Sequence, residues 1–126
     1  MDFIKDTKKF SLRERINSAT HAWRGVGILL KNSHNAWGHI FFSVLAVYLG
    51  FILNISDIEW ALLVLVIGLV ITAEAFNTAI EIDINLTSPE YHPYARDTKD
   101  VAAGAVLITV LISIIMALII FLPKIF

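Results

Sequence analysis

Glu74, Asn77 and Glu81 sit inside a long apolar run at spacings of i, i+3 and i+7, which on a helix places all three on one face. Asn85, at i+11, extends the same stripe. Two carboxylates flanking an amide are equipped for proton and metal chemistry. Glu74 can act as general base towards a hydroxyl. Glu81, nearer the polar end of the run, can bind Mg²⁺, which prefers oxygen ligands and usually takes one or two carboxylates together with phosphates. Glu74 lies deep in the run, about 16 Å of helical rise from its polar end. A carboxylate at the centre of a bilayer costs about 2.5–3.5 kcal/mol, so it persists where it faces a protein interior or a wet cavity. The competing reading makes Glu74 and Asn77 interhelical hydrogen-bonding groups, with Ala75 and Ala79 as the small surface that close packing needs.

Beyond this run come Pro89-Glu90-Tyr91-His92-Pro93 and then Lys99-Asp100. Lys99 can meet a phosphate as a point charge, and Asp100 can orient it or support a metal. The plainer alternative is an interfacial charge couple that snorkels to water. His92 stands where a nucleotide would approach, although a single loop histidine is commonly just solvated. His39 reads as a hydrogen-bonded packing residue, while His21 and His34 carry no signal. Neither a P-loop nor a kinase-type glycine-rich loop is present, so any use of ATP requires a site unlike those of soluble kinases.

The elements that must position these residues are membrane spans. The chain has 126 residues, of which 57% are hydrophobic and 17% charged, against roughly 45–50% and about 25% in soluble domains. Its length suits a single domain. There is no cysteine, which excludes disulfides and thiolate metal sites. The net charge of -1 argues against a nucleic-acid partner. Apolar runs cover about 36–53, 60–85 and 101–122, each near the roughly 20 residues that cross a hydrocarbon core. The first begins too late, behind too charged a segment, for a cleavable secretory signal. Ahead of it, residues 11–31 predict an amphipathic helix. Ser11 is a candidate cap with Glu14 three residues on, and Leu12, Ile16, Ala19, Trp23, Val26 and Leu30 form one stripe. Its basic flanks and Trp23 suit a headgroup layer, and packing on a protein partner is the alternative. Residues 1–10 are polar and expected to fray.

Orientation follows from the basic residues. Lys5, Lys8, Lys9, Arg13, Arg15, Arg24 and Lys31 precede the first span, Arg96 and Lys99 lie between the second and third, and Lys124 alone falls on the other side. The positive-inside rule then predicts a cytoplasmic N-terminus and a cytoplasmic second connection, taken as 86–100.

The segments Glu74-Ala75-Phe76-Asn77-Thr78-Ala79-Ile80-Glu81, Pro89-Glu90-Tyr91-His92-Pro93 and Lys99-Asp100-Val101-Ala102-Ala103-Gly104-Ala105-Val106-Leu107 together resemble the prokaryotic diacylglycerol kinase family, which includes undecaprenol kinases. Trp23-Arg24-Gly25 and Lys31-Asn32 match that family's surface helix, so the resemblance runs in register from about Trp23 to the end. It implies an all-α protein of three transmembrane helices plus an N-terminal interfacial helix, assembled as a homotrimer with shared sites in a bacterial inner membrane. It also implies that Glu74 is the general base, that Glu81 binds the metal and ATP, and that Asn77, Glu90, Tyr91, His92, Lys99 and Asp100 line the nucleotide site. The expected reaction uses ATP and Mg²⁺ to phosphorylate a membrane lipid alcohol, diacylglycerol or undecaprenol. Three positions depart from the pattern. Ser33 replaces a second metal-binding Glu, Asn85 replaces a common Asp, and Glu14 stands where some relatives place an Arg. A weakened or non-catalytic lipid-binding relative, and a small ion- or proton-conducting protein with Glu74 as its site, are the competing expectations.

Overall fold

The computed structural model describes residues 9–126. Most of the polar 1–10 segment, including Lys5 and Lys8, lies outside the described residues. The described residues form four helices and no strand: α1 (Leu12–Asn32), α2 (His34–Ile52), α3 (Asp57–Thr87) and α4 (Pro93–Ile125). The all-α class expected above is what the chain adopts. Helices α2, α3 and α4 are each long and apolar enough to cross a bilayer, and the chain is a membrane protein.

Helix α1 starts at Ser11, whose Oγ accepts from the Glu14 N–H at 3.4 Å. Of its residues only Leu29 is buried, while Leu12, Ile16, Trp23 and Val26 stand exposed. The chain itself therefore leaves the apolar stripe uncovered, which suits a helix lying at a lipid interface. One residue, Ser33, separates α1 from α2, and its extended backbone (φ -111°, ψ 109°) turns the chain. Ser33 closes the first helix by donating its N–H to the Leu29 carbonyl and opens the second by accepting the Ala36 N–H on Oγ at 3.1 Å.

At the far end of α2 a close approach holds α2 against α3. A side chain at Gly50 would begin 2.7 Å from Cη2 of Trp60, so only glycine fits without a shift. Phe51 packs on the Trp60 ring at 4.8 Å. Helix α3 begins with a reciprocal capping box between Ser56 and Glu59, and Glu59 also meets Lys124 at 3.1 Å, tying the start of α3 to the end of α4. Ile55, Leu63, Val66, Ile120 and Phe121 form the apolar core at this end.

The connection between α3 and α4 is shorter than the polar stretch 86–100. Helix α3 continues to Thr87, and α4 begins at Pro93, leaving only residues 88–92 between them. Proline is favoured in a first helical turn because its missing N–H would have no partner there. His92 caps the helix, its Nδ1 accepting the Tyr94 N–H at 3.1 Å. At 31 and 33 residues, α3 and α4 are about 45–50 Å long at standard rise, well beyond a hydrocarbon core of about 30 Å. The polar turns at the 88–92 end thus project past the apolar layer as a helical hairpin. Helices α3 and α4 pack along most of their length, whereas α2 leans on α3 and scarcely meets α4.

Candidate active site

Glu74 is only 2% exposed, one of the two most completely buried large side chains described. Helix α3 carries it into the angle between α2 and the α1–α2 corner. The Ser33 hydroxyl donates to its Oε1 at 2.9 Å. Its Oε2 lies 3.4 Å from Nε2 of His39, a contact at ion-pair distance without hydrogen-bond alignment. Asn77 and Thr78, on the next turn, are also buried. Asn77 donates from Nδ2 to Oε1 of Glu81, an exposed carboxylate one turn on, at 3.2 Å. Four buried polar atoms here lack a hydrogen-bond partner among the described residues: His39 Nε2, Glu74 Oε2, Asn77 Oδ1 and Thr78 Oγ1. Buried polar groups are nearly always paired, so a cluster of unpaired ones in one place marks a spot shaped for something other than packing.

Below this cluster lies an apolar cavity of about 380 Å³ between α2, α3 and α4. It exists because α2 and α4 diverge, and its walls include Phe42, Leu63, Val70 and Ile114. His39 lines it, so the cavity reaches a residue that faces the Glu74 carboxylate.

The remaining predicted residues gather at the helical hairpin. A second cleft, about 250 Å³, is lined by Asn85, Glu90, Tyr91, His92, Arg96 and Lys99 among others. Lys99 donates from Nζ to Oδ1 of Asn85 at 2.6 Å. Glu90, Tyr91 and His92 are exposed, and the Nδ1 of His92 is engaged in capping α4. Asp100 is exposed and does not line this cleft. The structure thus brings together two groups: Ser33 and His39 against the buried Glu74 carboxylate, with Asn77 and Glu81 paired on the next turns of α3, and Asn85, Glu90, Tyr91, His92 and Lys99 at the hairpin. Four residues of α3, about 6 Å of rise, separate Glu81 from Asn85.

His39, expected from the sequence to be a hydrogen-bonded packing residue, lies against the Glu74 carboxylate. A weak signal was present: a titratable ring within an apolar run carries the same burial cost that singled out Glu74. Ser33 stood out only as a departure from the resemblance, and its hydrogen bond to Glu74 was not anticipated.

The sequence profile of the prokaryotic diacylglycerol kinase family matches residues 20–121. The chain is similar to the undecaprenol kinase of Bacillus subtilis, with 38% identity over 113 residues, covering 90% of this chain and 92% of that one. It is 35% identical over 107 residues to a diacylglycerol kinase of Synechocystis, covering 84% of this chain and 61% of that longer one. With the diacylglycerol kinase of Escherichia coli K12 it shares 29% identity over 100 residues, covering 79% of this chain and 82% of the relative.

Proposed function

The chain belongs to the prokaryotic diacylglycerol kinase family, and from that premise we propose that it moves the γ-phosphate of ATP to the hydroxyl of a membrane-dissolved lipid alcohol. As a member of that family it is a phosphotransferase with an alcohol acceptor. The observation that carries the reading is the placement of Glu74, a buried carboxylate whose neighbour His39 lines an apolar cavity. A lipid alcohol has the matching shape, with an apolar chain for the cavity and one hydroxyl for the carboxylate.

In this reading Glu74 takes the proton of the lipid hydroxyl as its oxygen attacks the γ-phosphorus, and the P–O bond to ADP breaks. Positioning and charge stabilisation do most of the work in such transfers. Lys99, which lines the hairpin cleft, offsets phosphate charge, and Glu90, Tyr91 and His92, which line the same cleft, contact the nucleotide; Asp100, exposed beside the cleft, approaches it from α4. Asn77 positions Glu81 through its amide.

No group of three or more His, Asp or Glu side chains able to hold a metal occurs among the described residues. The donor set therefore does not make an all-protein cage, but it fits Mg²⁺ that arrives with phosphates, for which one exposed carboxylate, Glu81, suffices. Such an ion would neutralise phosphate charge. The reaction gives undecaprenyl phosphate or phosphatidic acid according to the alcohol. The likeness to the Bacillus undecaprenol kinase supports undecaprenol as the first acceptor to assay. The reading includes a single kinase domain, a homotrimer with sites between subunits, and placement in a bacterial inner membrane with the N-terminus and the 88–92 hairpin in the cytoplasm.

The test is transfer of label from γ-labelled ATP to extracted lipid, using undecaprenol and diacylglycerol with Mg²⁺. Wild-type protein transfers label to one or both. Glu74→Gln lowers the rate by about a hundredfold or more, the scale of a lost general base, and Glu81→Gln raises the KM for ATP. A Glu74→Gln protein working near the normal rate overturns the mechanism, and a wild-type protein inert towards both lipids overturns the function.

A further inference from the structure

His39 and Glu74 face each other across the α2–α3 contact. The two facing atoms, Nε2 and Oε2, are 3.4 Å apart, both buried, and neither has another partner among the described residues. On the other side of the carboxylate, Oε1 already accepts from Ser33. The Ser33 Oγ is held in place by accepting the Ala36 N–H that opens α2, which leaves its hydroxyl hydrogen for Oε1. Ser33 caps α2 and His39 lies in its second turn, so one end of that helix brings both to a single carboxylate of α3.

We propose that His39 is a positioning residue for the base: its Nε2–H turns onto Oε2 of Glu74 and, with the Ser33 hydroxyl on Oε1, clamps the carboxylate from both sides. The proposal rests on the reading of Glu74 as the base. With Glu74 as the accepting base, the Nε2–H tautomer is the one that fits this contact. A bare ring nitrogen facing a carboxylate oxygen would set lone pair against lone pair where little solvent screens them, while an N–H there is attractive. Among the described residues Glu74 is the acid within ion-pair distance of His39, and the cavity wall on which the ring lies is otherwise almost wholly apolar. An ionised carboxylate offers about four lone-pair sites, so a clamp using one on each oxygen fixes the plane and leaves sites for a substrate hydroxyl. Orientation of this kind matters because a misplacement of about 1 Å can cost about a hundredfold in rate.

The experiment compares His39→Leu, which keeps bulk without a donor, with His39→Gln, which keeps an N–H, in purified full-length protein reconstituted in lipid nanodiscs with γ-labelled ATP and undecaprenol. Leu lowers kcat by about ten- to a hundredfold with the KM for ATP nearly unchanged, and Gln restores most of the loss. Normal kcat in the Leu variant, or equal impairment of both, overturns the proposal, because a mere space-filling role favours Leu over Gln. A second measurement needs no His39 variant. In ¹⁵N-histidine-labelled wild-type protein His39 carries its proton on Nε2, and the signal moves on Glu74→Gln. A proton on Nδ1 alone, or no response to Glu74→Gln, overturns the clamp. Activity of Glu74→Gln separates the two readings. A fully active Glu74→Gln protein refutes the base itself, whereas an inactive one beside a normal His39→Leu refutes only the clamp.

Discussion

A carboxylate pressed into the apolar layer is tolerated when its oxygens are met, and Glu74 illustrates how locally that is arranged. Ser33 serves two structures at once, as the donor to Oε1 and as the cap of α2. Its removal therefore carries two penalties. Ser33→Ala loses a helix cap, worth about 1 kcal/mol, and leaves a buried carboxylate oxygen short of a donor, at about 1–3 kcal/mol. The expected result is a clearly lower thermal midpoint for Ser33→Ala in detergent, followed by size-exclusion chromatography, with Ser33→Thr close to wild type. Equal stability of all three proteins would show that the hydroxyl bears on neither helix.

Between elements, the geometry of the site depends on how α2 leans against α3, and that contact is set far from the chemistry. Gly50 meets Trp60 so closely that an added methyl group would begin 2.7 Å from the ring. Gly50→Ala forces the two helices apart or the indole to rotate, and overpacking of this kind costs about 1–3 kcal/mol. Because α2 also carries His39, the displacement is transmitted along a stiff helix. The same variant is expected to lower kinase activity as well as the midpoint, read by the lipid-transfer assay. Full activity with reduced stability would show that the site tolerates movement of α2. At the other end, the extension of α4 back to Pro93 puts Arg96, Lys99 and Asp100 on a helix and leaves only residues 88–92 as a connection.

For the whole molecule, the distribution of charge predicts one orientation across the bilayer. Wild-type protein contains no cysteine, so single introduced cysteines report cleanly. In cells treated with a membrane-impermeant maleimide, Ile125→Cys reacts from outside, whereas Asp97→Cys reacts only after the membrane is opened. The reverse pattern would place the hairpin away from cytosolic ATP and end the kinase reading. The uncovered stripe of α1 and the loose seating of α2 on α4 leave apolar surface that lipid or further copies of the chain must cover, in keeping with a proposed trimer.

Composition and periodicity by themselves determined that the chain crosses a membrane, that Glu74, Asn77 and Glu81 share a stripe of one helix, and that α1 is amphipathic. Those properties are local: a 3.6-residue repeat and a run of apolar residues mean the same thing in any surroundings. Tertiary structure alone decided that Ser33 and His39 converge on Glu74, that a cavity opens between α2 and α4, and that Lys99 reaches Asn85. Each joins residues from separate elements, and their approach depends on helix angle and on contacts such as Gly50 against Trp60. No repeat within a single helix encodes the distance to its neighbour.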